Sequence, residues 1–287
     1  MIPFSPAFIG QKETYAVLHN LLGPVDFLWA DMDIPLMYGW FHILCLCIVS
    51  ALCVFIIVKR KSISQKTVQI SLLAFWIIVA LFEVVKQINF SYSPTSGDWT
   101  YQWYAFPFQF CSSILYVLPL AVFVKNEKFK KFMYAFLATY NLFAGIAVML
   151  YPSTVFIDDV CINIQTMVHH GLMVVVGVLL YATKTVDFNF KTLGKAATVF
   201  SVLVCVAFIL NNTFDEKSGF NMFFIDVEGC DLPILNIISQ NAPYPVFIMC
   251  YILGFTACAG IILILAKLVS TLILKCEEKC KKNKKTC

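Results

Sequence analysis

The chain has 287 residues, of which 60% are hydrophobic and only 13% charged, and its net charge is +4. A soluble domain of this size cannot hide so much apolar surface in one core, which excludes a soluble globular enzyme. The small positive excess comes from an asymmetry between loops and forms no basic binding face, so nucleic-acid binding is excluded too.

An all-α polytopic membrane protein remains. The first 35 residues include Lys12, Glu13, Asp26, Asp31 and Asp33 and lack the basic start and apolar run of a cleavable signal. They read as an external cap or interfacial segment. Seven apolar segments follow, near 36–58, 67–88, 104–124, 132–152, 160–183, 193–213 and 246–274. Each is long enough for a hydrocarbon core of about 30 Å. With no repeat and no linker, residues 36–274 read as one seven-helix transmembrane domain, followed by a basic tail at 275–287.

The loops alternate in charge. Arg60 and Lys61 follow the first segment, Lys125 and Lys128 the third, Lys184 and Lys191 the fifth, and Lys275 to Lys285 fill the tail. Asp98, Asp158, Asp159, Glu216, Asp226 and Glu228 fall on the other side. The positive-inside rule puts the N-terminus outside and the C-terminus in the cytoplasm, and an odd number of spans agrees. Trp99, Tyr101, Trp103, Tyr104 and Tyr151 lie where an interfacial aromatic belt is expected. The chain is therefore expected to be an integral, multi-pass membrane protein.

Of twelve cysteines, Cys45, Cys47, Cys53, Cys205, Cys250 and Cys258 lie in apolar segments, where cysteine is usually a small hydrophobe. Cys161 and Cys230 are both expected outside, where an oxidising compartment would sustain a disulfide between them. No CxxC or metal-finger spacing occurs, and neither a metal nor a cofactor is expected.

Polar groups inside the spans are costly to bury and are candidates for function. They are His42 in the first segment; Glu83 and Lys86 in the second; Gln109, Cys111, Ser112 and Ser113 in the third; Asn163, Gln165, Thr166, His169 and His170 in the fifth; and Asn211 and Asn212 at the end of the sixth. At 1.5 Å per residue, His42, Cys111 and His169 lie roughly 9, 10 and 14 Å below the outer boundary. Glu83 and Asn211, on segments running the other way, reach the same layer. In the fifth segment Asn163, Gln165, Thr166, His169 and His170 fall within about 160° of one another.

A cysteine and an imidazole at one depth fit nucleophilic acyl transfer. The imidazole generates the thiolate and later protonates the leaving group, while Gln109, Ser112 or Asn211 could donate to an oxyanion. Structural readings stand beside this one. His42 serves equally as an interfacial hydrogen-bonder, Glu83 and Lys86 as a self-neutralising i, i+3 pair, and the serines as back-bonders to the preceding turn.

The stretches FPFQFCSS, VHHGLM, NNTF with FNMFFI, and APYPVF, together with HILCLC and LFEVVKQI, resemble the YwaF-like and transmembrane-protein-164 family over about residues 36–270. The resemblance implies an acyltransferase that moves fatty acyl chains onto ether lysophospholipids. It also implies an architecture similar to the androgen-induced hydrolases of fatty-acid esters of hydroxy fatty acids, which use threonine and histidine where the transmembrane-164 branch uses cysteine and histidine. Carried over, the nucleophile falls on Cys111 and the base on His170 or His169, with His170 preferred because it precedes Gly171. Glu83, His42, Gln109, Thr166 and Asn211 become cavity or oxyanion partners. The expected partners are membrane lipids, as acyl donor and lysolipid acceptor. Two rivals use the same polar layer: a lipid or small-molecule carrier or receptor, and a scaffold whose polar groups only join helices.

Overall fold

The computed structural model describes residues 28–94, 96–214, 216–217, 219–226, 230, 232 and 234–283. Lys12, Glu13 and Asp26 lie outside them. Among the described residues, eight α-helices follow in order: α1 (Trp40–Lys59), α2 (Gln65–Ser91), α3 (Ile114–Phe123), α4 (Glu127–Leu150), α5 (Val160–Ala182), α6 (Phe190–Thr213), α7 (Leu235–Asn241) and α8 (Tyr244–Asn283). Side-chain caps set several starts. Ser64 accepts from Thr67 N, Asn126 from Lys128 N and Phe129 N, Asp159 from Ile162 N, and Asn189 from Thr192 N. Each satisfies amides that a helix N-terminus leaves without partners.

Six of these helices are long and apolar enough to cross a membrane, which makes the protein an all-α, multi-pass integral membrane protein. The third expected span differs, because 104–124 is not one helix. Pro107 has no N–H and forces Phe106 into an extended conformation (φ −50°, ψ 134°). A 3₁₀ turn at Trp103–Ala105, an irregular stretch, a second 3₁₀ turn at Cys111–Ser113 and the short α3 replace it.

The inner pair is α4 and α5, with 72% of each membrane window buried, against 11% for α1. Glycines let these helices close up. A Cβ on Gly145 would lie 2.8 Å from Met173 Cβ and 2.9 Å from the His170 carbonyl oxygen, and one on Gly171 would lie 2.7 Å from Val49. The outer helices present apolar residues to the lipid, as Trp40, Val58, Leu81, Phe190 and Leu272 illustrate by their exposure.

The two ends of the bundle are chemically distinct. Arg60 and Lys61 both pair with Glu277 near the end of α8, and Thr185 meets Gln65 beside them. The basic loops after α1 and α5 therefore lie at the same end as the C-terminal part of α8. At 1.5 Å per residue the 40 residues of α8 span roughly 60 Å, so the helix runs on past the expected limit at 274 into the basic tail. At the opposite end the described part of the N-terminal segment docks on α2 and α5. Trp29 Nε1 donates to Asn89 O at 3.0 Å, and Met32 N to Asp158 O at 3.0 Å.

The expected Cys161–Cys230 disulfide is not formed, and Cys161 carries a free thiol. Cys230 is buried in the main apolar core with Phe223 and Tyr251, whereas Cys161 sits in the first turn of α5 beside Asp159, outside that core. Phe220, Met222, Phe223 and Ile225 pack into the same core as Cys230.

Candidate functional site

Irregular backbone at membrane depth survives only where the protein satisfies its polar groups. The stretch before α3 shows this residue by residue. Gln87 Nε2 donates to Ala105 O at 2.7 Å, Tyr116 Oη to Pro107 O at 2.8 Å, and His169 Nε2 to Cys111 O at 3.1 Å. Inside α3, Pro119 lacks the N–H that would reach Leu115 O, and the Trp76 indole supplies it at 3.1 Å. Sequence reasoning missed Gln87, Tyr116 and Trp76. Gln87 alone had a local signal, lying four residues after Glu83 on the same helical face.

A carbonyl oxygen can only accept, so His169 carries its proton on Nε2 and presents a bare lone pair at Nδ1. That Nδ1 is buried with no hydrogen-bond partner. His170 lies about 100° around the helix and turns away. Its Nδ1 donates to Thr166 O at 2.8 Å, within its own helix. The two rings lie 5.2 Å apart, centroid to centroid. Of the paired histidines, His169 is the one in contact with Cys111, through the main chain of that residue.

Cys111 is half-buried and lines a cavity of about 550 Å³, within the range of small-molecule sites. The walls are mostly apolar and include Phe143 and Val148 of α4, Leu235 of α7, and Tyr251 and Phe255 of α8. Neither histidine lines this cavity. Cys111 thus stands at the boundary between an apolar chamber on one side and a buried imidazole on the other.

A polar cluster on α2 adjoins it. Lys86 Nζ lies 2.8 Å from Glu83 Oε1, and Gln87 Nε2 donates to the same oxygen at 2.7 Å. The expected i, i+3 pair is present. Its environment goes further than self-neutralisation, because Glu83 Oε2, Gln87 Oε1 and, across the gap, Ser113 Oγ are buried without partners. In the outer loop, burial raises the Tyr101 phenol above its ordinary range, and the Glu83 carboxylate adds to the effect.

Two expected partners, Gln109 and Asn211, bind the backbone of a neighbouring loop, and Gln109 also lines the Cys111 chamber as expected of a cavity residue. Gln109 donates to Asn221 O at 2.8 Å and accepts from Phe223 N at 2.9 Å. Asn211 donates to Met222 O at 3.1 Å and accepts from Met222 N at 2.7 Å. Both carboxamides bind the backbone of the loop 220–226, which dives into the bundle and places Phe223 (φ 61°) and Phe224 (φ 54°) in the left-handed region. Tyr251 Oη reinforces it by donating to Phe223 O at 2.8 Å. These amides clamp the loop, because an unpaired peptide at this depth would be costly. Asn163 repeats the device at Ile157, with bonds of 2.6 and 3.0 Å.

His42 also leaves the site. Tyr38 N donates to its Nδ1 at 2.9 Å and its Nε2 donates to Met149 O at 2.8 Å, which fixes a neutral ring as a brace between α1 and the end of α4. Thr166 contributes its carbonyl to His170, and its hydroxyl faces Gln165 Oε1 at 3.4 Å. Ser112 is buried in the turn between Cys111 and Ser113.

The fold and this arrangement define a multi-pass helical membrane protein with a thiol at the wall of an intramembrane apolar chamber, backed by a buried polar layer. The family model described as the TMEM164 family matches residues 37–265. The chain belongs to the TMEM164 family. No curated protein and no solved structure shows significant similarity to it.

Proposed function

We propose that the protein is an intramembrane lipid acyltransferase or acyl-ester hydrolase in which Cys111 is the nucleophile and His169 the base. The observation that carries this reading is the position of Cys111, which lines an apolar chamber of about 550 Å³ and whose main-chain carbonyl accepts from the buried His169 imidazole. An acyl chain suits the chamber by its apolar walls. A lipid ester would enter from the membrane, so neither substrate needs to cross water.

In the reaction, the Cys111 thiol passes its proton to the His169 imidazole and the thiolate attacks the ester carbonyl. Collapse of the tetrahedral adduct breaks the ester C–O bond, and the leaving alkoxide takes the proton from the imidazolium as a lysolipid is released. The acyl group is left as a thioester on Cys111. A lysolipid hydroxyl or water, deprotonated by the same imidazole, then attacks the thioester and frees the thiol. The mechanism asks one local change of His169. Its contact must pass from the carbonyl oxygen of Cys111 to Sγ, with the tautomer reversed so that Nε2 offers its lone pair.

Incubation of the purified protein with a phospholipid bearing an alkyne-tagged acyl chain tests this. Hydroxylamine-sensitive label should appear on the peptide containing Cys111 and vanish in Cys111→Ala. Lipid profiles of cells expressing wild type and Cys111→Ala would then name donor and acceptor. Reversible lipid binding without any covalent label would instead favour a carrier or receptor using the same chamber, and a variant that changes only thermal stability would favour a scaffold.

A further inference from the structure

A second cavity, of about 270 Å³, lies between α1, α4, α5 and α8 and is separate from the Cys111 chamber. Leu142 and Ile146 line it, while Phe143, Ala144, Ala147 and Val148 line the chamber, so the two sites back onto opposite faces of the same stretch of α4. The cavity is a groove. Its inner end is apolar at Leu142 and Ile146, and its outer end opens on the basic face between Arg60 and Lys184.

Three features at that basic end point to a ligand. Tyr181 lines the groove, and its hydroxyl is buried with no hydrogen-bond partner, on a residue only 8% exposed and stacked on Phe188 at 4.9 Å. A buried phenol without a partner costs stability unless something supplies an acceptor. Lys184 occupies the left-handed conformation after α5 (φ 57°), where glycine is the unstrained choice, and keeps a cation at the rim. Arg60 stands across from it, only partly neutralised, because Glu277 also pairs with Lys61. With Arg60 sharing its one carboxylate partner and Lys184 beside it in the lining, the mouth carries positive charge.

We infer that this groove is a binding site for an anionic phospholipid of the leaflet on the basic side of the membrane, with one acyl chain along the apolar trough and the phosphate held between Arg60 and Lys184. The Tyr181 hydroxyl donates to the phosphate or to the glycerol ester below it. A zwitterionic lipid fits less well, since its headgroup cation meets the same two positive side chains. Anionic lipids concentrate at the basic face of membrane proteins for the same reason.

The test uses the purified full-length protein in detergent micelles, with thermal unfolding followed as dioleoyl phosphatidic acid or dioleoyl phosphatidylcholine is added. Phosphatidic acid should raise the melting temperature at concentrations where phosphatidylcholine does not. Tyr181→Phe and Lys184→Gln should each weaken the phosphatidic acid response about tenfold in half-saturating concentration, the size expected for a hydrogen bond or ion contact to a charged group. Without lipid, Tyr181→Phe should melt no lower than wild type, because it removes an atom that has no partner in the protein. Equal stabilisation by both lipids, no response to either, or unchanged phosphatidic acid binding in both variants overturns the assignment and leaves an ordinary lipid-facing groove. A Tyr181→Phe protein that melts lower without lipid also overturns it.

Discussion

His169 Nε2 meets the main-chain carbonyl of Cys111 at 3.1 Å, while its other ring nitrogen is buried without a partner. One imidazole thereby closes the backbone of an irregular membrane segment at the residue that bears the thiol and keeps its other nitrogen buried without a partner. His170, next in sequence, bonds within its own helix. The two histidines should therefore behave differently. His169→Ala is expected to lower the rate of Cys111 acylation by about 10²- to 10⁴-fold, the usual worth of a general base. His170→Ala should cost less than about tenfold, since it removes no contact with Cys111. Rates of thioester formation with a tagged lipid, measured on protein that still melts cooperatively, decide between them, and a larger loss in His170→Ala would move the base to that residue.

Gln109 and Asn211 hold the 220–226 loop, so their loss should appear in stability before activity. Gln109→Ala and Asn211→Ala each leave buried backbone groups without partners, at a cost of about 1–3 kcal/mol. Limited proteolysis should cut the loop faster in either variant. An unchanged melting temperature together with a lost turnover would restore the oxyanion role.

Trp76 and Pro119 form a compensating pair around Leu115 O. Trp76→Phe should destabilise by about 1–3 kcal/mol, because it strands a buried carbonyl. Adding Pro119→Ala should recover much of this, since the backbone N–H that alanine restores at this position would then reach the same oxygen along the helix. A double-mutant cycle by thermal or denaturant unfolding reads the coupling. Strictly additive effects would show that the indole bond matters little.

Close helix contact at Gly145 sets the position of the His170 backbone. A methyl group there meets Met173 Cβ at 2.8 Å and the His170 carbonyl at 2.9 Å, and neither can swing aside. Gly145→Ala should cost about 1–3 kcal/mol by overpacking. Gly194→Ala, with nothing within 4 Å of its added carbon, is the control and should be neutral or slightly stabilising. Comparing the two melting temperatures separates crowding from a general glycine effect.

Most of the membrane architecture was legible in the sequence, because a span is a local property. About twenty apolar residues in a row cannot stay in water, and helix formation satisfies their backbone without outside help. The basic loops were legible for the same reason, and Glu277 meeting Arg60 and Lys61 puts the first of them beside the C-terminal end of α8. What needed the tertiary structure was every case in which a polar group's partner lies far along the chain. The stretch from Phe106 to Phe110 is apolar enough to pass as helix. It is irregular because Pro107 breaks the ladder and because Gln87, Tyr116 and His169 stand ready to receive the carbonyls of Ala105, Pro107 and Cys111 in and beside it. A carboxamide reads identically whether it awaits an oxyanion or clamps a peptide, and an imidazole reads identically as base or brace. Local composition determines that such groups are buried at one depth. Only the three-dimensional pairing shows Gln109 and Asn211 bonded to the loop 220–226, His42 bonded to Met149, and His169 meeting the main-chain carbonyl of Cys111.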